Sequence, residues 1–511
     1  MILSKQTLQH FQRNDNLPTA AYFQLPEKIL QFGTGILLRG LPDYFVDKAN
    51  KQNIFNGRIV VVKSTAQGDI DAFKNQDGLY TLCVKGIENG KTIDSTNIIA
   101  SISRVLTANM EWENILQCAT NDKLEIIISN TTEVGLTLID NDNIFAKPPT
   151  SFPGKLLAFL YERFMFFDGT DKSGLIIIPT ELIVGNADKL KSILITLSHQ
   201  NKLSNQFIEW LNDHNQFCNS LVDRIVPGKL KPDEKKSIEE KLGYEDELMI
   251  MAEPYRLWAI ESAADTVQKK LSFALGDAGV IIAPDITKFR ELKLRLLNGT
   301  HTLNCGLATL AGFQTVKQAM QNTDFKKFTA HLMLDEIAPS IINDQITADD
   351  ALQFGNQVIE RFSNPFIEHL WLSITLQFTS KMLMRNIPIL QKHYQRSNDV
   401  PPCIALGFAG YILFMKSKLN NDNQFVGSTG NSTYIINDDK AAVLNKKWNE
   451  KNIPETVMNI LGDKDLWNAD LTKYPGFAEK VSDNVDLLIN TGAEKTIKDL
   501  VRNYPATLQH E

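Results

Sequence analysis

The stretch KILQFGTGILLRG, residues 28–40, decides how the rest of the chain is read. An apolar run ends at Phe32, a G-x-G turn follows at Gly33, Thr34 and Gly35, and a helix-forming run begins at Ile36. Strand, glycine turn and helix in that order open a dinucleotide-binding unit. Gly33 permits the tight turn, and Gly35 lets backbone amides at a helix start approach a pyrophosphate. The third glycine of the usual fingerprint would fall at residue 38, where this chain has Leu38.

Outward from this stretch, short apolar runs recur at 58–63 (RIVVVK), 124–129 (LEIIIS), 174–179 (GLIIIP) and, later, 279–284 (GVIIAP). Continuous isoleucine and valine runs of this length suit strands covered on both faces, and their alternation with helical sequence predicts βαβ units around a parallel sheet. The second run ends at Lys63, where an acidic residue would hold the adenosine ribose of NAD; a lysine there favours the 2′-phosphate of NADP. The third is followed by Asn130, Thr131, Thr132 and Glu133, polar residues at a strand end where open α/β sheets bind ligands. The same residues also read as a helix N-cap. The cofactor candidates are therefore Phe32, Gly33, Thr34, Gly35, Lys63, Asn130 and Thr131.

From about residue 286 the texture turns helical. Helices are expected at 290–310, 316–320, 325–337, 349–362, 366–384 and 404–418, with a polar loop at 420–439. The expected organisation is an α/β Rossmann-type NAD-binding domain with additional elements over 1–285, then a mostly α-helical substrate and catalytic domain over 286–511. The second opens with KLRLLNGTH, residues 293–301. On an α-helix, Asn298 lies about 140° and His301 about 80° from Lys293, so the three share one sector. An amine that moves a proton, beside two groups that polarise an oxygen, suits hydride-transfer chemistry.

The whole chain sets bounds on these readings. With 511 residues, 43% hydrophobic and 22% charged, it is long enough for two or three globular domains. A net charge of −7 argues against nucleic-acid binding by bulk electrostatics. Cys83, Cys118, Cys218, Cys305 and Cys403 are odd in number and lack C-x-x-C spacing, which predicts reduced thiols in a cytoplasmic protein and no zinc site. No apolar run reaches the roughly 20 residues of a membrane span, and the N-terminus lacks the apolar core of a signal peptide. No metal is expected.

K-x-x-x-x-N-x-x-H at 293–301, with Q-F-G-x-G at 31–35, resembles the polyol-specific long-chain dehydrogenase/reductases, the mannitol dehydrogenase family. The stretches QDGLYT (76–81), SNTTEVG (129–135), IIIPTELI (176–183), LVDRIV (221–226) and NPFIEHLWLSI (364–374) are similar to its uronate-reducing branch. The resemblance implies a metal-independent, NAD-linked oxidoreductase. It casts Lys293 as general acid/base, Asn298 as oxyanion partner, His301 as the residue orienting substrate, and Asp223 and Lys381 as substrate contacts. A uronate also needs a cation for its carboxylate, for which Lys381, His369, Arg224 and Arg361 are candidates, Lys381 first. Two departures from mannitol-type members are Leu182, in place of a second oxyanion asparagine, and Ser373, in place of an arginine.

The partner implied is a small hexuronate or aldonate, with no nucleic acid or membrane, for a monomer or weak oligomer. A fructuronate reductase, a neutral polyol dehydrogenase and a non-catalytic dinucleotide-binding protein remain alternatives, as does NADP.

Overall fold

Isoleucine runs become strands here because both faces of one sheet are covered. The computed structural model describes residues 1–10, 17–65, 70–131, 135–430, 432–449, 452–502 and 504. Ile126, Ile127 and Ile128 are all fully buried. Ile126 and Ile128 pack with Ile29, Val61, Phe45 and Trp258 on one face, and Ile127 with Leu30, Val60, Val62 and Leu157 on the other. A strand with period 2 in side-chain direction cannot do this at a solvated sheet.

The first half contributes β1 (Glu27–Phe32), β2 (Arg58–Lys63), β3 (Tyr80–Glu88), β4 (Lys91–Ile99), β5 (Ile102–Thr107), β6 (Ile126–Ser129), β7 (Ile176–Pro179), β8 (Gln216–Phe217), β9 (Ser220–Asp223), β10 (Ile250–Ala252), β11 (Leu257–Glu261) and β12 (Val280–Ala283). Six of these form a parallel sheet in the order β5-β2-β1-β6-β7-β8. The order reverses between β1 and β6, and such a switch point opens a crevice at the C-terminal strand ends. The run at 279–284 does form a strand, β12, but it pairs with β11 in a separate three-stranded sheet with β9. A further sheet, β10-β3-β4, was not anticipated from sequence.

Two units emerge: Met1–Gly86 with Thr92–Ile286, and Ile87–Lys91 with Thr287–Glu511. The second is helical. Thr287–Leu292, Lys293–Gly299 and Thr300–Leu310 follow without interruption, but the middle segment is a π-helix. Two more π segments, His331–Ile337 and Met382–Asn386, lie among the described residues of this unit.

Three expectations for this unit need correction. The helix expected at 366–384 is broken: Trp371–Ile374 and Phe378–Lys381 are separate turns, because Gln377 adopts a left-handed conformation (φ 52°) and Leu370 bridges to Thr315. The helix expected to reach 418 ends at Phe414. The polar loop at 420–439 contains β14 (Phe425–Ser428) and β15 (Thr433–Ile435), which form a small sheet with β13 (Lys418–Leu419). Tyr434 anchors it, stacked at 4.3 Å on Phe414 with its hydroxyl donating to the Phe414 carbonyl. Among the described residues no helix is long and apolar enough to cross a membrane.

Because the sheet core is sealed on both faces, Ile127→Ala should cost about 2–5 kcal/mol, read as a lowered denaturant midpoint. Met110→Ala, at a position 87% exposed, should leave the midpoint nearly unchanged.

Candidate active site

In the first unit, the turn after β1 is held from several sides. Gly33 has φ 129°, and its amide donates to the Val62 carbonyl at 2.9 Å. A Cβ there would sit 2.8 Å from Leu38 Cδ1 and 3.0 Å from the Asn130 carbonyl oxygen. Glycine is thus required by both conformation and space. Gly35 differs: it is the N-cap residue of Ile36–Gly40, and among the described residues nothing lies within 4 Å of where its Cβ would be. Leu38, at the position of the absent third glycine, is fully buried in the core. Close approach is provided instead by Gly40, whose Cβ would meet Val226 Cγ2 at 2.8 Å.

Around this turn the other candidates fall in place unevenly. Phe32 turns its ring into the core against Phe152, leaving only its backbone, which accepts from the Asn130 amide at 3.1 Å. Asn130 donates its side-chain amide to Thr180 Oγ1 at 2.9 Å. The Thr131 amide and hydroxyl both donate to Glu181. Glu181 is a buried carboxyl that sequence reasoning passed over; burial raises its pKa even though Ser129 and Thr131 hydrogen bond to it. Lys63 is buried and donates to the Thr65 carbonyl. Thr132 and Glu133, the remainder of the candidate cap, lie outside the described residues.

Beneath the turn, Gln31 Nε2 lies 3.4 Å from the Gly33 carbonyl oxygen and 3.5 Å from Asp43 Oδ2. Asp43 is completely buried, and burial pushes its pKa up to about 8. Asp223 ends β9, buried, opposite Leu257. Its neighbour Arg224 is committed to structure: Nη1 donates to the Gly40 carbonyl at 2.6 Å, Nε to the Glu253 carbonyl at 2.9 Å, and the guanidinium lies 4.8 Å from the Tyr44 ring centroid. That removes Arg224 from the candidates for a substrate carboxylate.

In the second unit, Lys293 and Asn298 open and nearly close the π segment. Its i→i+5 bonding sets residue i+5 nearly above residue i, so these two are brought closer round the axis than the α-helical 140° implies. Lys293 is half-buried between buried Leu292 and Leu296. His301, on the α-helical turn that follows, is 7% exposed. Its ring packs on Phe362 at 3.9 Å, His369 at 5.4 Å and Trp371 at 5.8 Å. Nε2 of His301 is buried with no hydrogen-bond partner among the described residues. Burial, with the positive field of His369, Arg361, Arg385 and Lys381, drives its pKa well below 6.5, so the imidazole is neutral.

The structure therefore gathers His301, His369, Arg361 and Lys381, as the residue types suggested, and adds Arg385. Burial lowers the pKa of Lys381 and of His369, and Arg385 reinforces the shift at Lys381. Lys381 Nζ donates to the Ile374 carbonyl at 2.9 Å. Arg385 escaped notice although it stands four residues after Lys381, the spacing of neighbours on a helix face. Leu182, in the first unit, is 62% exposed, and Ser373 is exposed.

A Rossmann-like sheet with the switch point beside a G-x-G turn, followed by a helical unit carrying lysine, asparagine and histidine on one helix, defines the fold class of a two-unit oxidoreductase. Comparison with known proteins agrees. The family description "Mannitol dehydrogenase Rossmann domain" matches residues 27–272, and "Mannitol dehydrogenase C-terminal domain" matches 285–489. The chain belongs to the mannitol dehydrogenase family. An altronate oxidoreductase of Bacillus subtilis is 35% identical over 481 residues, covering 93% of this chain and 96% of its own. One from Escherichia coli is 32% identical over 485 residues, covering 93% and 97%. Among solved structures, a D-sorbitol dehydrogenase superposes with a TM-score of 0.78 at 19% identity, over 97% of this chain and all of its own. A mannitol 2-dehydrogenase of Pseudomonas fluorescens, in complex with NAD and D-mannitol, has a TM-score of 0.68 at 19% identity, over 99% and 100%.

The buried Asp43 generates a pH prediction. Its folded pKa, about 8, lies above the ordinary carboxyl value, so the folded state favours the protonated form. That stability is fully present below about pH 4 and is lost as pH rises through 8. The melting temperature of Asp43→Asn minus that of wild type should accordingly grow between pH 5 and pH 8.5. A flat difference over that range would contradict the assignment.

Proposed function

We propose that this chain is an NAD-dependent oxidoreductase interconverting D-altronate and D-tagaturonate. The observation that carries the reading is the group of cations around His301. Arg361, Arg385, Lys381 and His369 all act on its imidazole, and no carboxylate is among its principal influences. Arg385 is half-desolvated and has no carboxylate among the influences on it, which is costly. A substrate with its own carboxylate offsets that cost, and a neutral polyol does not. The altronate oxidoreductases at 32–35% identity are relatives whose named substrate is such an acid.

The residues of the first unit fit a dinucleotide. Gly33 shapes the turn, Gly35 leaves open space at a helix start, and Asn130 and Thr131 stand at the adjoining strand end. The Lys63 ammonium is held by the Thr65 carbonyl, which favours NAD over a 2′-phosphate-bearing cofactor. A nicotinamide dinucleotide held by these residues would supply the hydride acceptor for the alcohol carbon of altronate and the hydride donor for the ketone of tagaturonate.

Lys293 takes the hydroxyl proton as the alcohol is oxidised and gives it back in reduction. Asn298 donates an amide hydrogen to the oxygen on which negative charge develops. His301 is neutral, so its Nε2, buried and without a hydrogen-bond partner among the described residues, engages a substrate hydroxyl without adding positive charge. With Leu182 in place of a second asparagine, Asn298 is the carboxamide at that oxygen.

Tagaturonate, fructuronate and fructose, each with NADH and NADPH, should rank tagaturonate with NADH first in kcat/KM. Faster turnover of fructose than of either uronate would overturn the substrate, and a preference for NADPH would overturn the cofactor. Lys293→Ala should lose roughly 10²–10⁴-fold in kcat while NADH affinity holds. Gly35→Ala should fold normally yet bind NADH on the order of tenfold more weakly, because its methyl fills space meant for the ligand.

A further inference from the structure

Arg385 enters the reading above only as one of several cations, and its surroundings suit a more particular role. Nη1 donates to Thr302 Oγ1 at 3.0 Å, and that hydroxyl donates in turn to the Asn298 carbonyl at 2.8 Å. The guanidinium is thereby fixed to the helix that carries Lys293, Asn298 and His301. Its backbone is fixed as well: Arg295 Nη1 donates to the Met384 and Arg385 carbonyls at 2.8 and 2.9 Å, and Asn386 Nδ2 to the Gly299 carbonyl at 3.0 Å. Among the described residues Arg385 pairs with no carboxylate. Its Nε and Nη2 also have no protein partner among the described residues, and neither is sealed from solvent. A planar fork with nitrogens to spare, held at one corner, suits two parallel hydrogen bonds to a carboxylate.

The neighbouring cations are less suited. Lys381 is a point charge with one N–H given to the Ile374 carbonyl, and the coulombic influences on it include Asp438, a carboxylate. Arg361 is buried at 6% exposure. His369 has its pKa lowered by burial and by Lys381, so it adds little charge near neutrality.

We infer that Arg385 grips the carboxylate of the substrate and so sets the preference for uronates and aldonates over neutral ketoses and polyols. This rests on the substrate reading above. Thr302 is the positioning residue: it aims the fork and touches no substrate.

The test compares wild type with Arg385→Gln, Arg385→Lys and Thr302→Val, each checked for folding by thermal melting. Glutamine keeps a donor for Thr302 while removing the charge. For Arg385→Gln the ratio of kcat/KM for tagaturonate to that for fructose should fall about 10- to 100-fold, the worth of a charge-assisted hydrogen bond. The change should lie mainly in KM for the uronate. Arg385→Lys should recover part of the ratio, and Thr302→Val should show a smaller fall. An unchanged ratio in Arg385→Gln, or equal losses with both substrates, would overturn the inference.

Direct binding separates this from the substrate reading. Gluconate and glucitol differ only in carboxylate against CH₂OH, and their dissociation constants can be measured in the presence of NADH. Wild type should favour gluconate, and Arg385→Gln should lose that preference. If wild type reduces no tagaturonate yet shows this pattern, the substrate reading fails and the carboxylate site stands. If gluconate and glucitol bind wild type alike, the carboxylate site fails.

Discussion

Arg295 reaches from the π segment at Lys293–Gly299 to the carbonyls of Met384 and Arg385 in another π segment, and Asn386 returns a hydrogen bond to the Gly299 carbonyl. Widened helices displace backbone groups from their usual i→i+4 partners, so segments of this kind persist where outside donors satisfy them. Here the two segments supply donors to one another. The positions of Lys293, Asn298 and Arg385 in the second unit all follow from that exchange. Glu291 in turn holds the Arg295 guanidinium, with Nε 3.1 Å from its carboxylate.

The cofactor side of the protein divides a familiar set of glycine duties in a different way. Gly33 answers a backbone demand, Gly35 keeps a space empty, and Gly40 rather than residue 38 allows close packing, against Val226. Leu38 is then free to serve the core. The arginine that looked available for substrate, Arg224, closes the end of the same helix by binding the Gly40 carbonyl. A fingerprint that reads as incomplete is thus complete in space.

Much of this was legible in the sequence, for reasons that differ by element. β1, β2, β6 and β7 were visible because strands covered on both faces require unbroken apolar runs. Lys293, Asn298 and His301 were visible because chemistry put three unlike polar groups into an apolar helix. The hairpin of β14 and β15 was not visible: its strands are only four and three residues long, and it is anchored by one aromatic stack, Tyr434 on Phe414. The break at Gln377 was hidden because its left-handed backbone is held by tertiary bonds, from its amide to the Asn437 carbonyl and from its side chain to Asp439. Arg385 was hidden because a basic residue one turn after another reads as a solvated helix face.

The π segment also changes what counts as preserving this protein. A π-helix holds more residues per turn than an α-helix, so relaxing Lys293–Gly299 into regular α-helix calls for removal of a residue. A single deletion there would leave lysine, asparagine, histidine and arginine all in the chain. It would nevertheless remove the widened turn whose Gly299 carbonyl accepts from Asn386 and whose Arg295 holds the Met384 and Arg385 carbonyls. The site is therefore encoded in the spacing of its residues as much as in their identities, and it can be lost by a change in length that no comparison of residue types would reveal.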